Sequence, residues 1–509
     1  MASSLAIATS KLPGFPGDDP TMTFPLRLSP FEKFILWDER QRQPMTSFIE
    51  LHFASPLDPS RLLGALTVAV HRNPLLASRV VERDGDLWWD YDPLYQPELL
   101  ASSTQPPLRQ GWPIPIDLRR ECGGRYWYGT CESGWRLMIQ LHHACCDGVG
   151  MRRVMIDALS GYAQPMESLL HLSPGSDLCA LAGEAVNTNE VEDDATSALV
   201  PSGIAEDKPP RWEKLLLETL GERFDFSGTC SGPAKRPLTT WQRIKNTHYF
   251  HFRLPVALRG TAKDRDFIEG VDDQEPLRHA QMSREVSQQI LERARQSQVA
   301  INDLALTLLF QTCARWNRSL GDTNPRSHIR LLMPYDLRSR VDLRMPAANR
   351  LSFSFLGRSA GQCENFAELL ASVQAEVQAI KDSRLPLDFL EALRLAATRP
   401  AGMKWVINHS RRMATVVLTY TGDISRGMQR YFPERDGTRI VGDTQITNVY
   451  AAPPIRENTN IALGLCINWG QLCFSAAWNR ATMTPAECEK FLAHYVLAWN
   501  EWLRVPSIS

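Results

Sequence analysis

Residues Leu141 to Gly150 read LHHACCDGVG. Two adjacent histidines are followed by an aspartate and a glycine, and a glycine-rich start to an apolar run comes next. The stretch before them, WRLMIQLHH, alternates apolar Trp135, Leu137, Ile139 and Leu141 with other residues. That period of two predicts a strand and puts His143 on the buried face, with His142 on the opposite one. A buried imidazole tends to stay neutral near pH 7, which suits a general base. Asp147 and Gly148 fall in the turn before the next helix, where a carboxylate caps the helix or pairs with an arginine. A glycine there leaves room for backbone or ligand.

The residues also admit other readings. A metal site would use the histidines and cysteines, but neighbours at a strand end point in different directions, and zinc-like spacing is absent. A dinucleotide loop would need a third glycine where GVGMRR has Arg153. A nucleophilic cysteine could be Cys145 or Cys146, or lie in GTCSG at Gly228 to Gly232, which lacks a preceding apolar strand. The plainest alternative is a packed histidine pair with Asp147 as a simple cap.

Working outward, SPFEKFILWDER from Ser29 carries a cap, Pro30 at the first helical position and Glu32 at the third, and predicts a helix. TSFIELHFAS predicts a strand, and DPSRLLGALTVAVHRN a second capped helix. LLASRVVERDGDLWWDYD predicts two strands around an Asp84-Gly85 turn. RYWYGTCESGWRLMIQLHH predicts a hairpin turning near Ser133-Gly134, and Val149 to Ala163 a helix. From about Pro165 to Trp241 the chain is rich in Ser, Gly, Pro, Asp and Glu, which predicts a partly flexible crossover. Only RWEKLLLETLGERF within it has a helical pattern.

Beyond the crossover, NTHYFHFRLP predicts a strand. MSREVSQQILERARQSQ predicts a helix capped by Ser283, and AINDLALTLLFQTCARWNRSL a helix opened by Asn302. HIRLLMPYDLRSR and ANRLSFSFLG predict strands, NFAELLASVQAEVQAIKDSR a long helix. The last third alternates strands and ends in a helix from Thr484. Strands alternate with helices in both halves, so the chain divides into two α/β domains. The expected boundaries are a leader over 1–27, a first domain over 28–164, a crossover over 165–245 and a second domain over 246–509.

Whole-chain properties narrow the function. The 509 residues carry a formal net charge of −1, which argues against a global field for nucleic acid or anionic lipid. No run approaches the ~18 apolar residues of a membrane span. The eleven cysteines are scattered without a C-x-x-C pair, which favours free thiols and a cytoplasmic protein.

His142-His143-Ala-Cys-Cys-Asp147-Gly148 resembles the H-H-x-x-x-D-G motif of the CoA-dependent acyltransferase superfamily. That group includes chloramphenicol acetyltransferase-like enzymes, nonribosomal peptide condensation domains, plant BAHD acyltransferases and bacterial wax ester synthase/diacylglycerol acyltransferases. SPFEKFILWDE and AVHRNPLLASRV are similar to the family's opening helix and its R-H-P-x-L-R segment. MSREVSQQILERARQSQVAINDLALTLLF is similar to the helix pair of its second domain, and MPYDLRSRVDLRMPAANRLSFSF to its D-x-R-x-R and N-R-x-S stretches. The D-F-G-W-G of the BAHD group is missing.

The resemblance implies an α/β fold of two chloramphenicol acetyltransferase-like domains, each with a mixed sheet and helices, and an active-site tunnel at their interface. It implies an acyltransferase in which His143 is the general base and His142 supports its position. Asp147 is then structural, paired with Arg338 or alternatively Arg340. Gly148 keeps a path open for pantetheine, and Asn349 lies near the channel. The donor is an acyl-CoA or a thioester on an acyl carrier protein, and the acceptor a small alcohol or amine. CoA or phosphopantetheine thioester enters as co-substrate, with no permanently bound cofactor or metal and no nucleic acid partner. A stand-alone enzyme is expected. The competing expectations are a condensation-type domain forming amide bonds on carrier-bound substrates, and a non-catalytic binding protein on the same fold.

Overall fold

Local signals start most helices. In the computed structural model, Ser29 caps helix α1 (Pro30–Asp38): its hydroxyl accepts from Glu32 N–H, and Glu32 bonds back to Ser29 N–H. Asp58 caps α2 (Pro59–Arg72), and α3 spans Gly148–Ala163. Each cap satisfies amides that a helix start leaves without partners, worth about 0.5–2 kcal/mol. The structure describes residues 24–102, 115–131, 134–163, 219–224, 226, 236–262, 276–339, 342, 345–398, 402–403, 407 and 412–505. The 1–27 leader, the GTCSG stretch, Ser133 and Arg340 therefore lie wholly or mainly outside the described residues, as does most of the crossover.

Strands β1 (Leu26–Arg27), β3 (Ser78–Arg83) and β4 (Asp86–Tyr91) form a three-stranded antiparallel sheet, ordered β1-β4-β3. The β3–β4 turn has Asp84 and Gly85 at φ 53° and 72°, the left-handed pair a tight hairpin needs.

The sheet that carries the motif has seven strands. It combines β2 (Thr46–Phe53), β5 (Leu99–Ser102), β6 (Gly124–Cys131) and β7 (Gly134–His142) with β12 (Glu434–Arg435), β13 (Thr438–Val441) and β14 (Thr444–Ala452). Their order is β12-β13-β14-β2-β7-β6-β5. The C-terminal half of the chain thus supplies three strands to the first sheet, through antiparallel pairing of β14 with β2. The second sheet is mixed. It takes β8 (Arg278–Gln281), β9 (His328–Asp336), β10 (Leu351–Ser359), β11 (Val416–Asp423), β15 (Ile461–Asn468) and β16 (Gln471–Trp478) in the order β10-β9-β11-β15-β16-β8. Strand β11 is parallel to both β9 and β15.

Every residue of β2 is buried, so both faces of the first sheet are covered. Ile49, Leu51, Phe53, Leu137, Ile139 and Leu141 join α2 and α3 in one apolar core. On the other face Phe48 and Met138 meet Leu332, Val417, Ala462 and Ala477 of the second sheet. Burial of each such large side chain is worth about 1.5–3 kcal/mol, and this second contact joins the two lobes. Helices α5 (Arg284–Gln296), α6 (Ile301–Ser319), α7 (Phe366–Ser383) and α9 (Pro485–Arg504) cover the second sheet, with α8 (Leu385–Ala397) against α1.

Two local expectations need correction. NTHYFHFRLP is not a strand: residues Thr240–Phe252 form helix α4. Its aromatic residues imitate strand composition, but Thr239 and Gln242 upstream make a complete capping box that nucleates a helix. Asn302 does not cap α6 either; the helix starts at Ile301 after Ala300, and Asn302 lies inside the first turn.

Candidate active site

Strand β7 ends at His142, so its alternation stops before His143. His142 pairs with Thr46 on the face turned to the second lobe and is fully buried, while His143 is 7% exposed. The expectation that His142 faces away from the interior is overturned. Period-two logic assumed one solvated face, and this sheet has none.

The two rings are held differently. Ala144 N–H donates to His142 Nδ1 at 3.1 Å, which leaves the proton of that ring on Nε2, 3.4 Å from the Glu39 carboxylate. Glu39 follows α1 and also accepts from Met45 N–H at 3.3 Å. Nδ1 of His143 is 2.9 Å from the carbonyl oxygen of Cys146. A carbonyl only accepts, so Nδ1 carries the proton and the lone pair sits on Nε2. Nε2 has no hydrogen bond to any described residue. Burial lowers the His143 pKa, against the opposing pull of the Cys146 carbonyl and Asp147. The ring is therefore neutral near pH 7, with a free basic nitrogen.

Asp147 ties this turn to the second lobe. Arg338 donates to both of its oxygens at 2.9 Å, and the same guanidinium bonds Asp336 and the Ala348 carbonyl. Asp147 also accepts from Gly150 N–H at 2.9 Å and Arg350 N–H at 2.8 Å. Burial works to raise the Asp147 pKa, but Arg338 and these N–H groups overcome it and hold the carboxyl below its usual range. Asn349 donates its amide N–H groups to the His143 and Ala144 carbonyls at 2.9 and 2.8 Å. A strap from Met345 to Arg350 thus grips the whole turn, and Arg153 adds a bond to the Met345 carbonyl.

The two glycines differ. A Cβ at Gly148 would meet nothing within 4 Å, so there is open space beside the start of α3. A Cβ at Gly150 would lie 2.7 Å from Cys146 Cβ and 3.3 Å from Ala347 Cβ, which makes Gly150 the tight contact between turn and strap.

Sequence reasoning missed Glu39, Gly150 and Asn73, whose side chain holds Ala347 N–H at 2.7 Å and bonds Asp157. Asn73 stands just after α2 in the quoted AVHRNP, but its partners are 84 and 274 residues away. No local pattern points to them.

The cysteine alternative fares poorly at Cys145 and Cys146. Both are fully buried, and burial raises both thiol pKa values, the opposite of nucleophile activation. Among the described residues no three His, Cys, Asp or Glu side chains are grouped to hold a metal ion. No helix of the described residues is long and apolar enough to cross a membrane.

No protein-family model matches the sequence, and no curated protein matches it. Solved structures do. The first condensation domain of the calcium-dependent antibiotic synthetase, in complex with a substrate analogue, aligns at TM-score 0.58 and 13% identity over 96% of this chain and 98% of that one. Polyketide synthase associated protein 5 from Mycobacterium tuberculosis aligns at 0.56 and 14%, over 94% and 98%. The epimerization domain from the third module of tyrocidine synthetase B aligns at 0.53 and 14%, over 94% and 95%. The chain has the two-lobed α/β condensation-domain fold along nearly its whole length.

Proposed function

From that shared fold and the neutral imidazole within it, we propose that this chain is an acyltransferase. It moves an acyl group from a thioester, on CoA or an acyl carrier protein, to a hydroxyl or amine. The observation that carries the reading is His143: buried, with Nδ1–H fixed on the Cys146 carbonyl and Nε2 without a partner among the described residues.

In this reading Nε2 takes the proton of the acceptor as its oxygen or nitrogen attacks the thioester carbonyl. The C–S bond of the tetrahedral intermediate then breaks, and the imidazolium returns the proton to the departing thiolate. General-base help of this kind is worth about 10²–10⁴-fold in rate. The Cys146 carbonyl stabilises the imidazolium while it exists, because Nδ1–H already points at it. Asp147, Arg338 and Asn349 act through the backbone: they hold the turn that aims the ring. The open space at Gly148 supports a role in admitting the thioester arm.

The test is thiol release across a panel of acyl-CoA and acyl-carrier thioesters with alcohol and amine acceptors. His143→Ala, checked for native circular dichroism, should lose about 10²-fold or more. A folded variant with full turnover overturns the reading.

The fold likeness to the condensation domain named above favours a second reading, amide formation on carrier-bound substrates. Turnover with carriers and amines, and none with free acyl-CoA, selects it. Partner binding unchanged by His143→Ala, with no turnover of any thioester, selects a non-catalytic role.

A further inference from the structure

A cavity of about 490 Å³ lies in the second lobe, away from the histidine turn. Its wall runs from Ala257 to Ala262 and is completed by Leu320, Arg412, Asn458, Asn460, Asn479 and Thr482. None of the motif residues lines it. Its size matches a small-molecule site.

The chemistry of the wall is one-sided. Among the described residues it has two guanidinium groups and no carboxylate. Arg412 donates Nε–H to the Asn458 carbonyl at 2.7 Å and Nη1–H to the Pro255 carbonyl at 3.5 Å, and makes no ion pair with any described residue. Burial pulls its pKa down, and no acidic group among the described residues offsets that. Arg259 bonds the Leu320 carbonyl at 2.8 Å and also has no ion-pair partner among the described residues. For the partly buried Arg412, lacking a counter-charge among the described residues is costly, and a bound anion supplies that charge; Arg259, which is exposed, adds a second cation.

The remaining wall adds neutral donors and acceptors. Asn479 is 8% exposed; its Oδ1 accepts from Ala481 N–H and Gln43, and its amide nitrogen has no acceptor among the described residues. Asn460, 6% exposed, donates to the Leu258 carbonyl, and its Oδ1 has no donor among the described residues. Thr261 and Thr482 bring hydroxyl-bearing side chains. Among the described residues no aromatic ring lines the wall to stack a nucleobase. Amides and hydroxyls beside guanidinium groups suit a ligand with several hydroxyls and one anionic group.

We propose that this cavity binds a small phosphorylated polyol, with Arg412 and Arg259 taking the phosphate and Asn460, Asn479 and the threonines taking the hydroxyls. The site is separate from the acyl-transfer reading and does not depend on it.

Calorimetric titration of the full chain with glucose 6-phosphate, inorganic phosphate and glucose tests it. Glucose 6-phosphate should bind, inorganic phosphate more weakly, and glucose weakest. Arg412→Gln should weaken glucose 6-phosphate binding about tenfold or more, the scale of one charge-assisted bond. Arg259→Ala, an exposed position that leaves the fold intact, should weaken it as well. Thermal melts of both variants identify any loss caused by unfolding, and the Arg259 variant then decides. No heat from glucose 6-phosphate at millimolar concentration overturns the proposal, as does affinity unchanged in folded Arg259→Ala. Inorganic phosphate binding as tightly as glucose 6-phosphate overturns the polyol assignment.

Discussion

Replacing Arg338 with leucine isolates the joint between the lobes. The substitution removes two 2.9 Å bonds to Asp147, one to Asp336 and one to the Ala348 carbonyl. Asp147 is left 1% exposed with only the N–H groups of Gly150 and Arg350. Stranding one partner of a buried pair costs about 3–5 kcal/mol, a large share of the roughly 5–15 kcal/mol that stabilises a folded domain. The sign of the pH dependence follows from the lowered Asp147 pKa. In the parent protein its contribution is complete above the unfolded carboxyl value of about 3.9, and is lost as pH falls through the folded one. Without Arg338, burial raises the carboxyl pKa against only the Gly150 and Arg350 N–H groups, so the variant takes up a proton more readily as pH falls and part of its deficit disappears. Urea unfolding of both proteins at pH 7 and pH 5 measures this. The expected deficit is about 3–5 kcal/mol at pH 7 and smaller at pH 5. A deficit under about 1 kcal/mol, or one that grows on acidification, refutes the reasoning.

The lowered His143 pKa places the acid limb of kcat/KM below the ordinary imidazole value near 6.5, with activity falling as the ring protonates; a pH–rate profile with its limb above 7 contradicts a neutral buried base. Gly150→Ala forces a methyl group to 2.7 Å from Cys146 Cβ and should cost about 1–3 kcal/mol in chemical denaturation, whereas Gly148→Ala, with nothing within 4 Å, should leave stability near the parent value. Asn349→Ala orphans the buried carbonyls of His143 and Ala144; a loss of about 1–3 kcal/mol and a drop in kcat larger than any change in KM are expected from unfolding and steady-state assays.

Much of the scaffold was legible because its causes are local. The capping boxes at Ser29 and Thr484, the Asn365 cap and the Asp84-Gly85 turn are written within three or four residues of each element they start or reverse. Helix α4 is the exception: its capping box at Thr239 and Gln242 is equally local, but the aromatic residues Tyr249, Phe250 and Phe252 imitate the composition of a strand. The burial of His142 was beyond local reasoning. It depends on a second sheet, contributed by residues far along the chain, lying against β2 and β7.

By itself the sequence determined the order of helices and strands around the motif, the placing of two histidines at a strand end, and the glycine that opens α3. Those follow from periodicity, caps and turn chemistry, which act over a few residues. Only the tertiary structure decided which groups surround the imidazoles. Glu39 reaches His142 from 103 residues away in the chain, Arg338 reaches Asp147 from 191, and Asn349 reaches the His143 carbonyl from 206. Such contacts are selected by packing of one lobe on the other, and packing is a property of the folded whole that no short window of sequence encodes.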